Sequence, residues 1–167
     1  YDENFAKLDA KTLEPLFQHP RVLGLGEMMD FVGLSEKKNE ILEKIVTSEK
    51  HKKLIDGHAP GVSGDLLQAY ISAGIYSDHE SSTLENALEK LRLGQWVMIR
   101  EGTAAKNLEA LIPLLTSQNA NRLLFATDDK HPNDVLNFGH IDFNVKSAIK
   151  RGIDPLVAIQ VATLNPA

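Results

Sequence analysis

Short apolar runs that each stop at an acidic residue or a histidine organise this chain. Val22-Leu23-Gly24-Leu25-Gly26 ends at Glu27, and Leu54-Ile55-Asp56-Gly57 ends at His58. Ile75-Tyr76-Ser77-Asp78 ends at His79, and Leu123-Leu124-Phe125-Ala126-Thr127 ends at Asp128. Runs this short, punctuated by polar residues, suit strands of a parallel sheet buried on both faces. In a (β/α) barrel the chemistry sits at the C-terminal ends of such strands. A Glu, two His and an Asp delivered there would converge, and together they are a metal-binding set. With no cysteine in the sequence, any metal must be held by imidazole and carboxylate.

Between the runs lie segments with helical spacing. A short helix is expected over Thr12–Gln18, then a strand over Arg21–Gly26. Ser35 reads as an N-cap for a helix over Glu36–Ser48, whose apolar positions are Ile41, Leu42, Ile45 and Val46. A second strand covers Leu54–Asp56, followed by a helix from Ser63-Gly64-Asp65 to Ser72, with Gly74 as its stop. Ile75–Ser77 is the third strand, Thr83–Leu93 a helix closed by Gly94, and Gln95–Ile99 the fourth strand, leaving through Arg100-Glu101-Gly102. Asn107–Leu115 is a helix, Arg122–Ala126 the fifth strand, and Phe143–Arg151 and Pro155–Leu164 the closing helices.

Five βα units imply an α/β fold with a parallel sheet and helical crossovers. An open doubly wound sheet is the structural alternative. Against it, Gly24-Leu25-Gly26 lies inside a strand and not at its exit, so no phosphate-binding loop follows. A full barrel takes about 250 residues, and 167 residues supply part of one. The net charge of −5 argues against a nucleic-acid partner. No run of about 18 apolar residues is present to span a membrane. Tyr1-Asp2-Glu3-Asn4 has neither the basic nor the apolar region of a signal peptide. A cytoplasmic location is the expectation. The start without Met and the ending at Asn165-Pro166-Ala167 read as cuts through a longer protein.

The segments Val22-Leu23-Gly24-Leu25-Gly26-Glu27-Met28-Met29, Asp56-Gly57-His58-Ala59-Pro60-Gly61, Ser77-Asp78-His79-Glu80 and Ala126-Thr127-Asp128-Asp129 occur in this order. Together they resemble the adenine deaminases of the amidohydrolase superfamily. The closing Ala162-Thr163-Leu164-Asn165-Pro166-Ala167 is similar to the helix after the last barrel strand of that superfamily. The resemblance covers essentially the whole chain. Any one segment is a weak signal, and the ordered set is fairly specific.

The resemblance implies a binuclear metal site on a (β/α)8 TIM barrel, with this chain as its C-terminal part, strands four to eight. The family's first strand carries a His-x-His pair, which does not occur in this sequence. The first three βα units and any flanking β-domain would then be absent. Glu27 matches the bridging carboxylate of the fourth strand, His58 and His79 the histidines of the fifth and sixth, and Asp128 the aspartate of the eighth. The implied reaction is hydrolytic deamination of adenine in purine salvage, using two divalent ions (Mn, Fe or Zn). Asp128 would carry the proton, and His79 would ligate or orient the attacking species. Asp129, Glu101 and Arg100 are candidate substrate contacts. A homo-oligomer is expected, because a cut barrel leaves an unpaired strand edge at Arg21–Gly26.

Each residue also has a structural reading. Glu27 can be a solvated loop charge, His58 a turn residue, His79 part of a surface cluster, and Asp128-Asp129 a helix cap or turn. Their joint placement after successive strands is what favours a metal site. His19 and His51 read as surface residues, and His131 and His140 as residues of the loop after the last strand. Two other functions stay open: a non-catalytic barrel fragment, and an amidohydrolase acting on a cyclic amide. The latter often place a modified lysine where this chain has Glu27.

Overall fold

The computed structural model describes residues 7–167. The Tyr1–Asn4 segment read above for targeting signals lies outside them. The order is α1 (Ala10–Phe17), β1 (Gly24–Met28), α2 (Phe31–Ser35), α3 (Asn39–Lys50), β2 (Leu54–Gly57), α4 (Gly64–Ser72), β3 (Ser77–Asp78), α5 (Leu84–Arg92) and β4 (Trp96–Arg100). There follow α6 (Leu108–Leu111), β5 (Leu123–Ala126), α7 (Pro132–Phe138), α8 (Ile141–Lys150) and α9 (Pro155–Ala162). The five strands form one sheet in the order β1-β2-β3-β4-β5, and every pairing is parallel. Sequential parallel strands joined by helices are the architecture of part of a TIM barrel.

Alternation along the strands divides the sheet into two faces. Ile55, Val97, Ile99 and Leu123 point to the helices and are at most 2% exposed. They join two cores. One packs Met28, Ile55 and Ile75 against Leu34, Ile41, Ile45, Leu67 and Tyr70 of α2–α4. The other packs Val97, Ile99, Leu123 and Phe125 against Ala87, Leu111, Ala148, Ala158 and Val161. On the opposite face Asp56, Ser77, Met98 and Leu124 line an open groove, and Leu54 is 60% exposed. That face is the inside of the barrel.

Several boundaries differ from the sequence reading, each for a local reason. The first strand is not Arg21–Gly26. The Val22 N–H is taken by the His19 carbonyl in a turn, so extended structure begins at Gly24 and carries Glu27 within the strand. Gly24 is required there, because a Cβ would stand 2.5 Å from the Leu54 carbonyl oxygen. The helix expected over Glu36–Ser48 is two. Ser35 is the last residue of α2, not an N-cap, and Asp30 caps α2 through the Gly33 N–H at 2.7 Å. Lys37, with φ of 57°, separates α2 from α3. The segment Asn107–Leu115 is helical only to Leu111 and then tightens into a 3₁₀ turn, Ile112–Leu114, holding Pro113. Proline cannot donate the interior hydrogen bond that a longer helix needs. The third strand is Ser77–Asp78 by its ladder, although Tyr76 also bonds Ile55 and Trp96 through its backbone. The loop expected after the last strand contains a helix, α7. Pro132 opens it, and the His131 ring nitrogen accepts the Asn133 N–H at its start.

Candidate metal centre

Five strand exits meet on one rim, and the site is built where they meet. β1 carries a bulge: Leu25 and Met28 pair with Ile55 and Gly57, so three steps face two, with the extra residue at Gly26–Glu27. Bulges re-aim side chains next to functional sites, and here the re-aimed side chain is that of Glu27. His58 follows β2 directly and His79 follows β3 directly. Alternation turns Asp78 back toward the helices and His79 inward. Asp128 stands two residues beyond β5 with φ of 50°, a left-handed conformation that aspartate tolerates better than most residues.

Glu27, His58 and His79 each offer a ligand atom, and those atoms lie within 4.8 Å of one another. His79, Glu80 and Asp128 form a second such group that shares His79. His79 Nε2 stands 3.4 Å from Glu27 Oε1 and 3.3 Å from Glu80 Oε1. His58 Nδ1 stands 3.7 Å from Glu27 Oε2 and 3.2 Å from Glu80 Oε1. The two imidazoles meet edge to face, 5.5 Å between centroids.

His58 Nδ1 is fully shielded from solvent, and although two carboxylate oxygens are near, neither completes a hydrogen bond with it. A buried ring nitrogen without a hydrogen bond is costly. It faces the space shared with Glu27 and His79, where a metal ion would give it a partner. The residues therefore fit a divalent cation.

Arg100 links the second group. Its guanidinium bonds Glu80 twice, at 2.5 and 2.8 Å, and Asp128 Oδ2 at 2.5 Å. Its Nε donates to Asn107 Oδ1, and the Asn107 amide is tied in turn to the Ser81 carbonyl. Burial works against the charged guanidinium, but Glu80 and then Asp128 outweigh it and raise its pKa. Even so, Glu27, Glu80 and Asp128 set three carboxylates against this guanidinium, which leaves the rim suited to added positive charge.

The other anticipated residues are engaged elsewhere. Asp129 Oδ2 accepts the Ala104 N–H at 3.0 Å, and Glu101 Oε2 accepts the Leu108 N–H at 3.2 Å, at the start of α6. Gly102 makes room for this clasp, since a Cβ there would overlap Asp129 Oδ1. His51, read as a surface residue, is half-buried and contacts Glu14 at 3.1 Å. His140 lies near the rim, 3.4 Å from the Thr127 hydroxyl.

Two residues escaped the sequence reading. Glu80 reaches His58, His79 and Arg100, yet strict alternation after His79 would turn it away; the strand has already ended at Asp78. Tyr70, on α4, supports His58 from behind. Its hydroxyl donates to the Met28 carbonyl at 2.5 Å and accepts the His58 N–H at 2.9 Å. Burial raises the Tyr70 pKa, so the hydroxyl keeps its proton. Gly57 leaves room for that approach, because a Cβ would overlap the Ser77 carbonyl oxygen and stand 2.9 Å from the Tyr70 hydroxyl.

A parallel α/β sheet with histidine and carboxylate side chains gathered on its C-terminal rim is an arrangement that metal-dependent hydrolases use. The amidohydrolase family model matches residues 6–167, and the chain belongs to that family. Among its relatives, the adenine deaminase of Desulfatibacillum aliphaticivorans is 49% identical over 162 residues, covering 97% of this chain and 28% of its own length. The adenine deaminase of Oceanobacillus iheyensis is 46% identical over 167 residues, covering 100% of this chain and 29% of its own. That of Bacillus velezensis is 43% identical over the same span. The chain thus spans under a third of the length of these curated relatives. Divalent metals are the general cofactor class of the family. No helix among the described residues is long and apolar enough to cross a membrane.

Proposed function

We propose that this chain is strands four to eight of an adenine deaminase barrel, and that two further histidines come from sequence outside it. The observation that carries the reading is the convergence of Glu27, His58 and His79 ligand atoms within 4.8 Å on the strand-exit rim. The identity of 42–49% to adenine deaminases supports the substrate. Glu27, His58, His79 and Asp128 would hold two divalent ions of the Mn, Fe or Zn class, with Glu80 beside them. Bound there, such ions polarise the reacting group and lower the pKa of water toward neutrality.

The chain's own residues supply the rest. Water attacks C6 of adenine, the C6–N6 bond breaks, and hypoxanthine and ammonia leave. Asp128 takes a proton from the attacking water and returns it to the departing nitrogen. Arg100 engages Asp128 Oδ2, which leaves Oδ1 for the proton. His79 Nε2 faces Glu27 and Glu80 and is the ring nitrogen that would hold an ion. Arg100 is the substrate contact nearest the ligands. Ala104 and Leu108 take Asp129 Oδ2 and Glu101 Oε2, so a substrate contact from either would use its other carboxylate oxygen. The setting is purine salvage in the cytoplasm, in a homo-oligomer.

Asp128→Asn in the complete barrel tests this. An amide offers an oxygen to a metal but cannot take the proton. Adenine kcat is expected to fall by about 10²–10⁴-fold with the metal content largely kept. A kcat near wild type with the metals in place would remove Asp128 from the proton path.

A further inference from the structure

Lys90 does not fit the helix that carries it. α5 turns Ala87 and Lys90 inward one turn apart, and both are 0% exposed. A helix face packed on a sheet is normally apolar, and lysine is almost never fully buried unless paired. The partner is Asp78, also 0% exposed, with Lys90 Nζ 2.7 Å from its Oδ2.

The pair reaches two strand exits. Lys90 Nζ donates to the Ala59 carbonyl at 2.9 Å, and Asp78 Oδ1 accepts the Ala59 N–H at 2.8 Å. Asp78 Oδ2 accepts the Glu80 N–H at 2.9 Å and, at 3.4 Å, the Ser81 hydroxyl. Ala59 is the residue after His58, and Glu80 the residue after His79. One buried ion pair therefore grips both polar groups of the residue behind the first histidine and the N–H behind the second.

We propose that Asp78 and Lys90 are positioning residues, a buried brace that sets the mutual placement of His58, His79 and Glu80 for metal; this rests on the metal reading above. Packing alone does not call for the pair, because apolar side chains of similar volume often serve a core equally well or better. What they cannot do is accept two backbone N–H groups from neighbouring strand exits and donate to a carbonyl between them. Without the pair those groups are buried and unpaired. Groups that orient ligands from behind typically matter by about 10–100-fold in metal affinity.

The test is made in the complete barrel, measuring Mn²⁺ affinity by calorimetry, the urea midpoint, and the visible spectrum after loading with Co²⁺. The variants are Lys90→Met, Asp78→Asn, the two combined, and Lys90→Gln, which keeps a donor toward Ala59. Each single variant leaves a buried group without its partner and loses stability. The double variant removes both charges, and most of the wild-type urea midpoint returns. Its Mn²⁺ affinity stays about 10–100-fold weaker and its Co²⁺ spectrum differs, because the amide introduced by Asp78→Asn offers a single acceptor oxygen. Lys90→Gln falls between wild type and Lys90→Met in Mn²⁺ affinity. A folded double variant with wild-type affinity and spectrum overturns the brace and leaves the metal centre standing. So does failure of every variant to fold, which makes the pair a folding element only. A wild-type barrel that binds no Mn²⁺, Zn²⁺ or Fe²⁺ overturns the metal reading, and the brace with it.

Discussion

Replacing Arg100 with methionine removes the guanidinium that holds Glu80 and Asp128 together, at a similar side-chain length. The contacts are short, 2.5 and 2.8 Å to Glu80 and 2.5 Å to Asp128. The Arg100 and Glu80 side chains are only 13% and 11% exposed. At an effective dielectric of 20, unit charges 2.8 Å apart attract by about 6 kcal/mol. Much of that offsets the desolvation of both groups. Removing one partner of a buried pair costs about 3–5 kcal/mol, because the other charge is left buried and uncompensated. Asp128, at 28% exposed, adds less. Arg100→Met is therefore expected to lower the unfolding free energy of the metal-free protein by about 3–5 kcal/mol. Urea denaturation followed by circular dichroism measures it. A saturating divalent cation should restore a substantial part, since it brings positive charge to the same carboxylates. A loss below about 1 kcal/mol, the range of an exposed ion pair, would refute the reasoning. So would a loss that added metal leaves unchanged.

Tyr70→Phe strands the Met28 carbonyl and the His58 N–H; the expected loss is about 1–3 kcal/mol in the same denaturation assay. Because burial raises the Tyr70 pKa, its contribution is complete below the ordinary tyrosine value of about 10 and declines as the pH climbs above it. The wild type should show that alkaline decline and Tyr70→Phe should lack it; equal declines in both would exclude Tyr70 as the source. Among the described residues β1 pairs only with β2 and β5 only with β4, and unpaired edges invite further strands. The chain by itself is expected to self-associate in light scattering, and a monodisperse folded monomer would count against that.

The rim was legible because a βα alternation delivers whatever follows each strand to the same end of the sheet. Glu27, His58, His79 and Asp128 each follow an apolar run, so their order in the sequence already implied their meeting. What escaped depends on features without a period. The bulge that re-aims Glu27 shows only in the pairing of Leu25 and Met28 with Ile55 and Gly57. Glu80 escaped because alternation lapses once the two-residue β3 has ended. Lys90 left a trace: the apolar positions Leu84, Ala87, Leu88 and Leu91 make a stripe, and a lysine borders it within one turn of Ala87. From sequence such a lysine reads as a long side chain extending to solvent. Only the Asp78 carboxylate facing it from β3 reveals a buried pair. Asp129 and Glu101 are candidate substrate contacts by sequence, and their bonds to Ala104 and Leu108 come from the path of the loop over 102–106. Pro113 and Pro132 were visible signals, one ending a helix and the other opening one.

The most direct measurement is the number of divalent ions held, in equivalents per chain, by the complete barrel and by this chain alone. The account predicts two in the complete barrel, falling in Glu27→Gln and His58→Ala, and well under two, weakly held, in the chain alone. Two tightly held ions in the chain alone, or undiminished metal in the complete barrel after both substitutions, would contradict it.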